Sequence, residues 1–191
     1  MSIRTTARSS FVGDQTLYHP WGAVSPSFWG SAAVAELTSS SAPAESASVK
    51  DKIAAIGAVY AAQGPVPASI LAEQLDAETV AACGEAHLYV AEIREVRGYL
   101  AHLAGDHRSA VGWYLHVVHM RAGLQGPQHP DTLGASRRAY SLWRNVPDAD
   151  SIALGVELLA TVTAVHGAEA EVSRHTRDHL AASANQAVPE H

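Results

Sequence analysis

The sequence predicts an all-α fold: a right-handed helical repeat array of about three helix pairs, closed by a C-terminal capping helix. Two markers in phase at one period carry this. Gly84-Glu85-Ala86-His87 and Gly126-Pro127-Gln128-His129 repeat the phrase Gly-x-x-His with their histidines 42 residues apart. Gly64-Pro65, Gly105-Asp106 and Pro147-Asp148 punctuate apolar helical patterns at separations of 41 and 42 residues. A period of this size belongs to helix pairs that bury their apolar faces only by stacking on neighbours. Composition agrees: 47% of the 191 residues are hydrophobic, with many alanines and only two phenylalanines, which suits close helix packing better than a β-sandwich.

The chain divides into an N-terminal tail (residues 1–37), a Ser/Ala-rich linker (38–47), a helical repeat domain (48–184) and a short C-terminal tail (185–191). In the tail, Phe11, Tyr18, Trp21, Phe28 and Trp29 crowd into twenty residues broken by Pro20, Pro26 and three glycines. Disordered segments are usually poor in aromatics. Two readings follow: the aromatics, chiefly Tyr18, Trp21, Phe28 and Trp29, dock on the helical body, or they form a linear motif offered to another protein.

In the body, Ile53, Ile56 and Tyr60 recur at helical spacing before Gly64-Pro65 stops the segment. Ile93, Val96, Leu100 and Leu103 mark one face of a helix that Gly105 ends, and Asp106 is placed to cap the next. That next helix runs from about His107 to Leu124; Pro127 and Pro130 forbid its continuation, and Asp131 or Thr132 can cap a fifth over about Leu133–Asn145. Asp148 is expected to cap a sixth, with Leu154, Leu158, Val162 and Val165 as its stripe. A more polar helix over about Ala168–Ser183 fits a terminal cap.

These segments carry a resemblance. Ile56-Gly57-x-x-Tyr60-x-x-x-Gly64 resembles the first-helix signature of a tetratricopeptide repeat. The stretch from Gly98-Tyr99-Leu100 through Gly105-Asp106 to Ala110 and Tyr114 is similar to the middle of the consensus. Leu124-Gln125-Gly126-Pro127-Gln128-His129-Pro130-Asp131-Thr132-Leu133 resembles the inter-repeat turn of the 42-residue variant common in bacterial, especially actinobacterial, regulatory proteins. The likeness covers about residues 48–172. It implies that Gly98 admits a close helix contact and that Tyr114 fills the gap. Arg97 departs from it where a large apolar residue is usual, as do Ser69 and Ser151 in place of the alanine that Ala110 supplies.

The resemblance also implies a role: a scaffold or adaptor that binds a protein or peptide segment in an inner groove lined by the first helix of each pair. Groove positions are then Asp51, Ala54, Ala58 and Ala61, followed by Glu92, Glu95, Tyr99 and His102, and last Arg137, Ser141, Arg144 and Asn145. Arg137 and Arg144, two turns apart, can hold a carboxylate; the plainer reading is two solvated arginines, one paired with Glu92 or Glu95. The occupant can also be the protein's own tail or a second copy.

Other classes fare worse. The net charge of -6 argues against general nucleic-acid affinity. No apolar run approaches the ~20 residues that span a bilayer, and the N-terminus lacks a secretory apolar stretch, so a cytoplasmic protein without membrane partners is expected. There is no phosphate loop and no kinase element. Lone Cys83 is read as packed at a helix end, and no cofactor is expected. His87 and His129 recur with the repeat and are read as bonding a turn backbone. His116 and His119, at i and i+3, are the weak candidates for a metal. His102 and His107 flank a turn and are read as pointing apart. A small metal- or ligand-binding enzyme using Tyr99, His102 and the His116/His119 pair is the alternative to a non-catalytic scaffold.

Overall fold

A computed structural model describes residues 43–186. Among these the chain forms seven helices and no strand: α1 (Pro43–Gln63), α2 (Pro65–Cys83), α3 (Leu88–Leu103), α4 (His107–Gln125), α5 (Pro130–Trp143), α6 (Asp148–His166) and α7 (Glu171–Gln186). Each helix packs against its neighbours in sequence, and α1 also touches α3, α4 touches α6 and α5 touches α7. The expected breaks near 64–65, 84–87, 104–106, 125–131 and 146–148 each contain or adjoin an observed one. α1 begins at Pro43, inside the stretch read as linker.

The turns have local causes. At Gly84 and Gly126 the backbone takes φ 80° and 96° with ψ 166° and 156°, a conformation that L side chains rarely adopt. Three residues later the chain re-enters a helix, and the imidazole Nδ1 of His87 or His129 accepts the amide hydrogen of Tyr89 or Asp131, both at 3.2 Å. These histidines are therefore N-caps, satisfying amides that the helix leaves without partners. Asp106 caps α4 in the expected way, accepting from the Ser109 amide at 3.0 Å.

Three boundaries differ from expectation. α5 starts at Pro130, because His129 is its cap and proline suits the first helical position; Asp131 and Thr132 lie inside the helix. Thr132 instead donates to the Gly126 carbonyl at 2.9 Å and ties down the turn. α6 has Pro147 at its cap position with no side-chain cap bond, so Asp148 is its first residue rather than its cap. α7 begins at Glu171, not Ala168: Gly167 keeps the beat with φ 89°, but Ala170 stands where the earlier turns have histidine.

Two apolar clusters fill the interior. One joins Ile53 and Ile56 of α1, Ala68, Ala72 and Leu75 of α2, and Ile93, Val96 and Leu100 of α3. The other runs from Ala110 on α4 to Val172 on α7 around Tyr114, Trp143, Leu158 and Val162. Close approach fixes α3 on α4: a Cβ at Gly98 would lie 3.0 Å from the Tyr114 ring and 3.1 Å from Trp113 Cβ. Gly155 on α6 is tighter still, where a Cβ would sit 2.4 Å from Trp143 Cζ2 and 2.8 Å from Leu180 Cδ1.

Candidate functional site

Helix α3 carries the centre of the expected groove, and its acidic pair divides in role. Glu95 is largely buried and takes two arginines: Arg121 of α4 donates through Nη2 to Oε2 at 2.8 Å, and Arg138 of α5 through Nη1 to Oε1 at 3.0 Å. Arg121 is itself 4% exposed and also donates to Asp131 at 3.2 Å and to Gln125 at 3.0 Å. Glu95 thus clamps α3, α4 and α5 together. The arginines that hold Glu95 are Arg121 and Arg138, neither of them among the groove arginines of the sequence reading.

Glu92, one turn before Glu95, is half-buried. Burial raises its pKa above the ordinary carboxylate value; Arg121 and Lys50 nearby oppose this, while Glu95 and Asp131 add to it. Burial thus makes Glu92 take up a proton more readily than an ordinary carboxylate does.

The other groove positions split by exposure. Asp51, Ala58 and Ala61 on α1 are exposed and Ala54 is half-buried. Tyr99 is 2% exposed and Ser141 6%, so both belong to the interior. Burial pushes the Tyr99 phenol upward, with a smaller push from Tyr60. Arg137 in the middle of α5 and Arg144 and Asn145 just beyond its C-terminal end are exposed, and Asn145 donates back to the Ser141 carbonyl at 3.0 Å. The structure gathers Glu92 and Glu95 with Asp131 and Arg138; it leaves Arg137 and Arg144 at the surface.

A second polar cluster escaped the sequence reading. Asp76 of α2, 4% exposed, accepts from Arg94 Nε at 3.3 Å and from Arg97 Nη1, both of α3. Arg94 reaches Glu85 at 2.9 Å, and its Nη1 meets His116 Nε2 on α4. Arg97 lies 4.1 Å over the Trp113 ring, a cation–π contact that explains an arginine at a position the repeat pattern gives to a large apolar residue.

The metal candidates are engaged elsewhere. His116 faces Arg94 of α3, and its pKa is lowered by burial and then by that guanidinium. His119 Nε2 lies 3.3 Å from Thr161 Oγ1 of α6. The pair therefore turns toward different helices. Among the described residues no group of three or more His, Cys, Asp or Glu side chains is arranged to hold a metal ion.

Two readings need correcting. Cys83 is exposed rather than packed. His102 and His107, read as pointing apart, bring their Nδ1 atoms to 3.3 Å across the Gly105 turn, with ring centroids 5.2 Å apart. One further pairing resembles catalytic chemistry: Ser136 Oγ lies 2.7 Å from His166 Nε2. Ser136 is fully buried and also donates to the Thr132 carbonyl at 3.0 Å, so no substrate reaches it; the contact is internal packing.

Apolar surface concentrates on α2, where Val66 and Ile70 are 66% and 55% exposed. Beside them Lys52, Ile56, Leu71, Leu75 and Glu78 line a shallow cleft of about 210 Å³ between α1 and α2. The tail residues Tyr18, Trp21, Phe28 and Trp29 lie outside the described residues. Among the described residues no helix is long and apolar enough to cross a membrane. No family model, curated protein or solved structure matches the chain.

Proposed function

We propose that the chain is a tetratricopeptide-like, non-catalytic scaffold that binds a protein or peptide segment along α1, α3 and α5, the first helices of three pairs wound as a right-handed array. The observation that supports it best is the recurrence of one turn geometry. Gly84 and Gly126 share a backbone conformation, each followed by a histidine N-cap, with Gly167 continuing the beat. Such an array offers an extended concave surface rather than a closed reaction chamber.

The chemistry of that surface favours an extended segment with mixed charge. Small exposed side chains at Ala58 and Ala61 leave room for bulky residues of a ligand. Half-buried Glu92 suits a basic or hydrogen-bonding group, and Arg137 with Arg144 suits a carboxylate. Glu95 and Arg121 are spent on holding the helices together, so they shape the surface without meeting the ligand.

The test is comparative capture by the full chain. Arg137→Glu/Arg144→Glu and Glu92→Lys alter the proposed surface, whereas Val66→Glu/Ile70→Glu alters the apolar face of α2. A partner retained by the wild type and the α2 variant but lost from both surface variants supports the reading. Equal capture by all four proteins overturns it. Deleting residues 1–37 asks whether the tail competes: if it occupies the surface, capture increases on its removal.

A further inference from the structure

The geometry of the α3–α4 turn points to a two-histidine clamp for a borderline divalent cation of the zinc–copper class, formed by His102 Nδ1 and His107 Nδ1. It stands independently of the groove reading. Imidazole nitrogens bind zinc at about 2.0–2.1 Å, and two nitrogens 3.3 Å apart then subtend roughly 104–111° at the metal, which brackets the tetrahedral angle. The i,i+3 pair His116/His119 has a comparable sequence spacing, but its nitrogens are bonded to Arg94 and Thr161 on different helices.

The turn fixes this spacing. His102 closes the last turn of α3 and His107 opens α4, joined through Ala104, Gly105 and Asp106. Gly105 takes φ 81°, and the Asp106 amide donates to the Ala101 carbonyl at 2.9 Å, folding the strap back on α3. Asp106 caps α4, so the two imidazoles are carried on elements that are already anchored. Both rings are half-buried and still reachable from solvent.

Without metal, one Nδ1–H donates to the other Nδ1. With metal, the donor ring carries its hydrogen on Nε2 instead, and both Nδ1 lone pairs face the ion. The remaining coordination positions go to water or to an external donor such as a carboxylate or imidazole. The bound ion would staple the end of α3 to the start of α4.

The experiment titrates the full chain, stripped with chelator, with zinc chloride alone by calorimetry, and with cobalt chloride for its absorption spectrum. Expected are one ion per chain, a rise in melting temperature on zinc addition, and visible cobalt bands of four-coordinate intensity. His102→Ala and His107→Gln, checked for helicity by circular dichroism, should each weaken binding at least about tenfold, the loss that even outer-shell partners cause. His116→Ala/His119→Ala should leave binding unchanged. Zinc binding of wild-type affinity in the His102→Ala/His107→Gln double variant overturns the assignment. So does binding lost only in the His116/His119 variant, or no heat and no cobalt bands with the wild type.

Discussion

Replacing Gly155 with alanine adds one methyl group where the structure has no room for it. The new Cβ would fall 2.4 Å from Cζ2 and 2.8 Å from Cε2 of Trp143, and 2.8 Å from Leu180 Cδ1. Leu180 of α7 is half-buried and can swing aside. Trp143 cannot: it is fully buried, its Nε1 donates to the Ser151 carbonyl at 2.7 Å, and the His179 ring stands edge-on to it at 4.9 Å. Overpacking a filled core costs about 1–3 kcal/mol, and displacing the indole far enough to lose its buried hydrogen bond adds about 1–3 more. Against this, alanine gains about 1 kcal/mol over glycine in a helix interior. The net expectation is a loss of about 1–5 kcal/mol, a fall of roughly 2–20 °C in melting temperature for a chain of this size. Two comparisons isolate the cause. Gly112→Ala, with nothing within 4 Å of its Cβ, should gain about 1 kcal/mol. Gly98→Ala, whose contacts of 3.0–3.1 Å need Tyr114 and Trp113 to give slightly, should fall between. Urea denaturation followed by circular dichroism ranks the three. A Gly155→Ala protein as stable as Gly112→Ala would refute the packing of α6 on Trp143.

Gly98→Leu forces α3 away from α4 and should cost about 3 kcal/mol or more, against about 1 kcal/mol or less for His116→Ala, a residue only partly covered by protein; thermal melts compare them. Asp76→Ala leaves Arg94 and Arg97 without their shared buried carboxylate and should cost about 3–5 kcal/mol, whereas Glu78→Ala breaks only the exposed pair with Lys52 and should cost under about 0.5 kcal/mol in the same urea titration. His129→Ala removes an N-cap worth about 1 kcal/mol, and His129→Asn, which keeps an acceptor, should restore most of it. Acid should destabilise the protein through three histidines. Burial is the first cause that holds His102, His116 and His166 below the ordinary 6.5, so on acidification the unfolded chain takes up protons first. Stability is then lost from about pH 6.5 downward through the lower folded-state values. His166→Gln should flatten that slope in denaturation curves between pH 7 and 5, and an unchanged slope removes His166 from the account.

Most helix boundaries were legible because the turns are written locally. Gly84 and Gly126 need φ values that other residues avoid, and the histidines three places on bond amides only two residues away. Both causes sit within a few letters of sequence. The last turn was misplaced by three residues because Ala168, Glu169 and Ala170 read as helix formers and no histidine marks the restart. The interior polar chemistry was not legible. Asp76 meets Arg94 eighteen residues on, and Glu95 meets Arg138 forty-three residues on, so neither pair has a local signature. Gly155 looked like one more small residue on an apolar helix, since its constraint comes from α5 and α7. Arg97 shows the middle case: it stood out as a departure from the repeat pattern, but Asp76 and Trp113, which account for it, appear only in three dimensions.

The matching backbone at Gly84 and Gly126 makes residues 85–126 a cassette whose two ends are conformationally alike. Excising it would rejoin Gly84 to Pro127 and set α2 directly against α5 with no strained junction. The side chains do not share that interchangeability. One period after Arg94 and Arg97 come Ser136 and Ala139, so Asp76 would face a hydroxyl and a methyl in place of two guanidinium groups. A shortened chain would therefore close well at its seam and fail in its interior, with a carboxylate stranded among apolar walls. The glycines set where helices stop, while the buried charges at Asp76 and Glu95 tie particular helices to particular neighbours. Lengthening or trimming this protein by whole units would first require rewriting Asp76 and its two arginines.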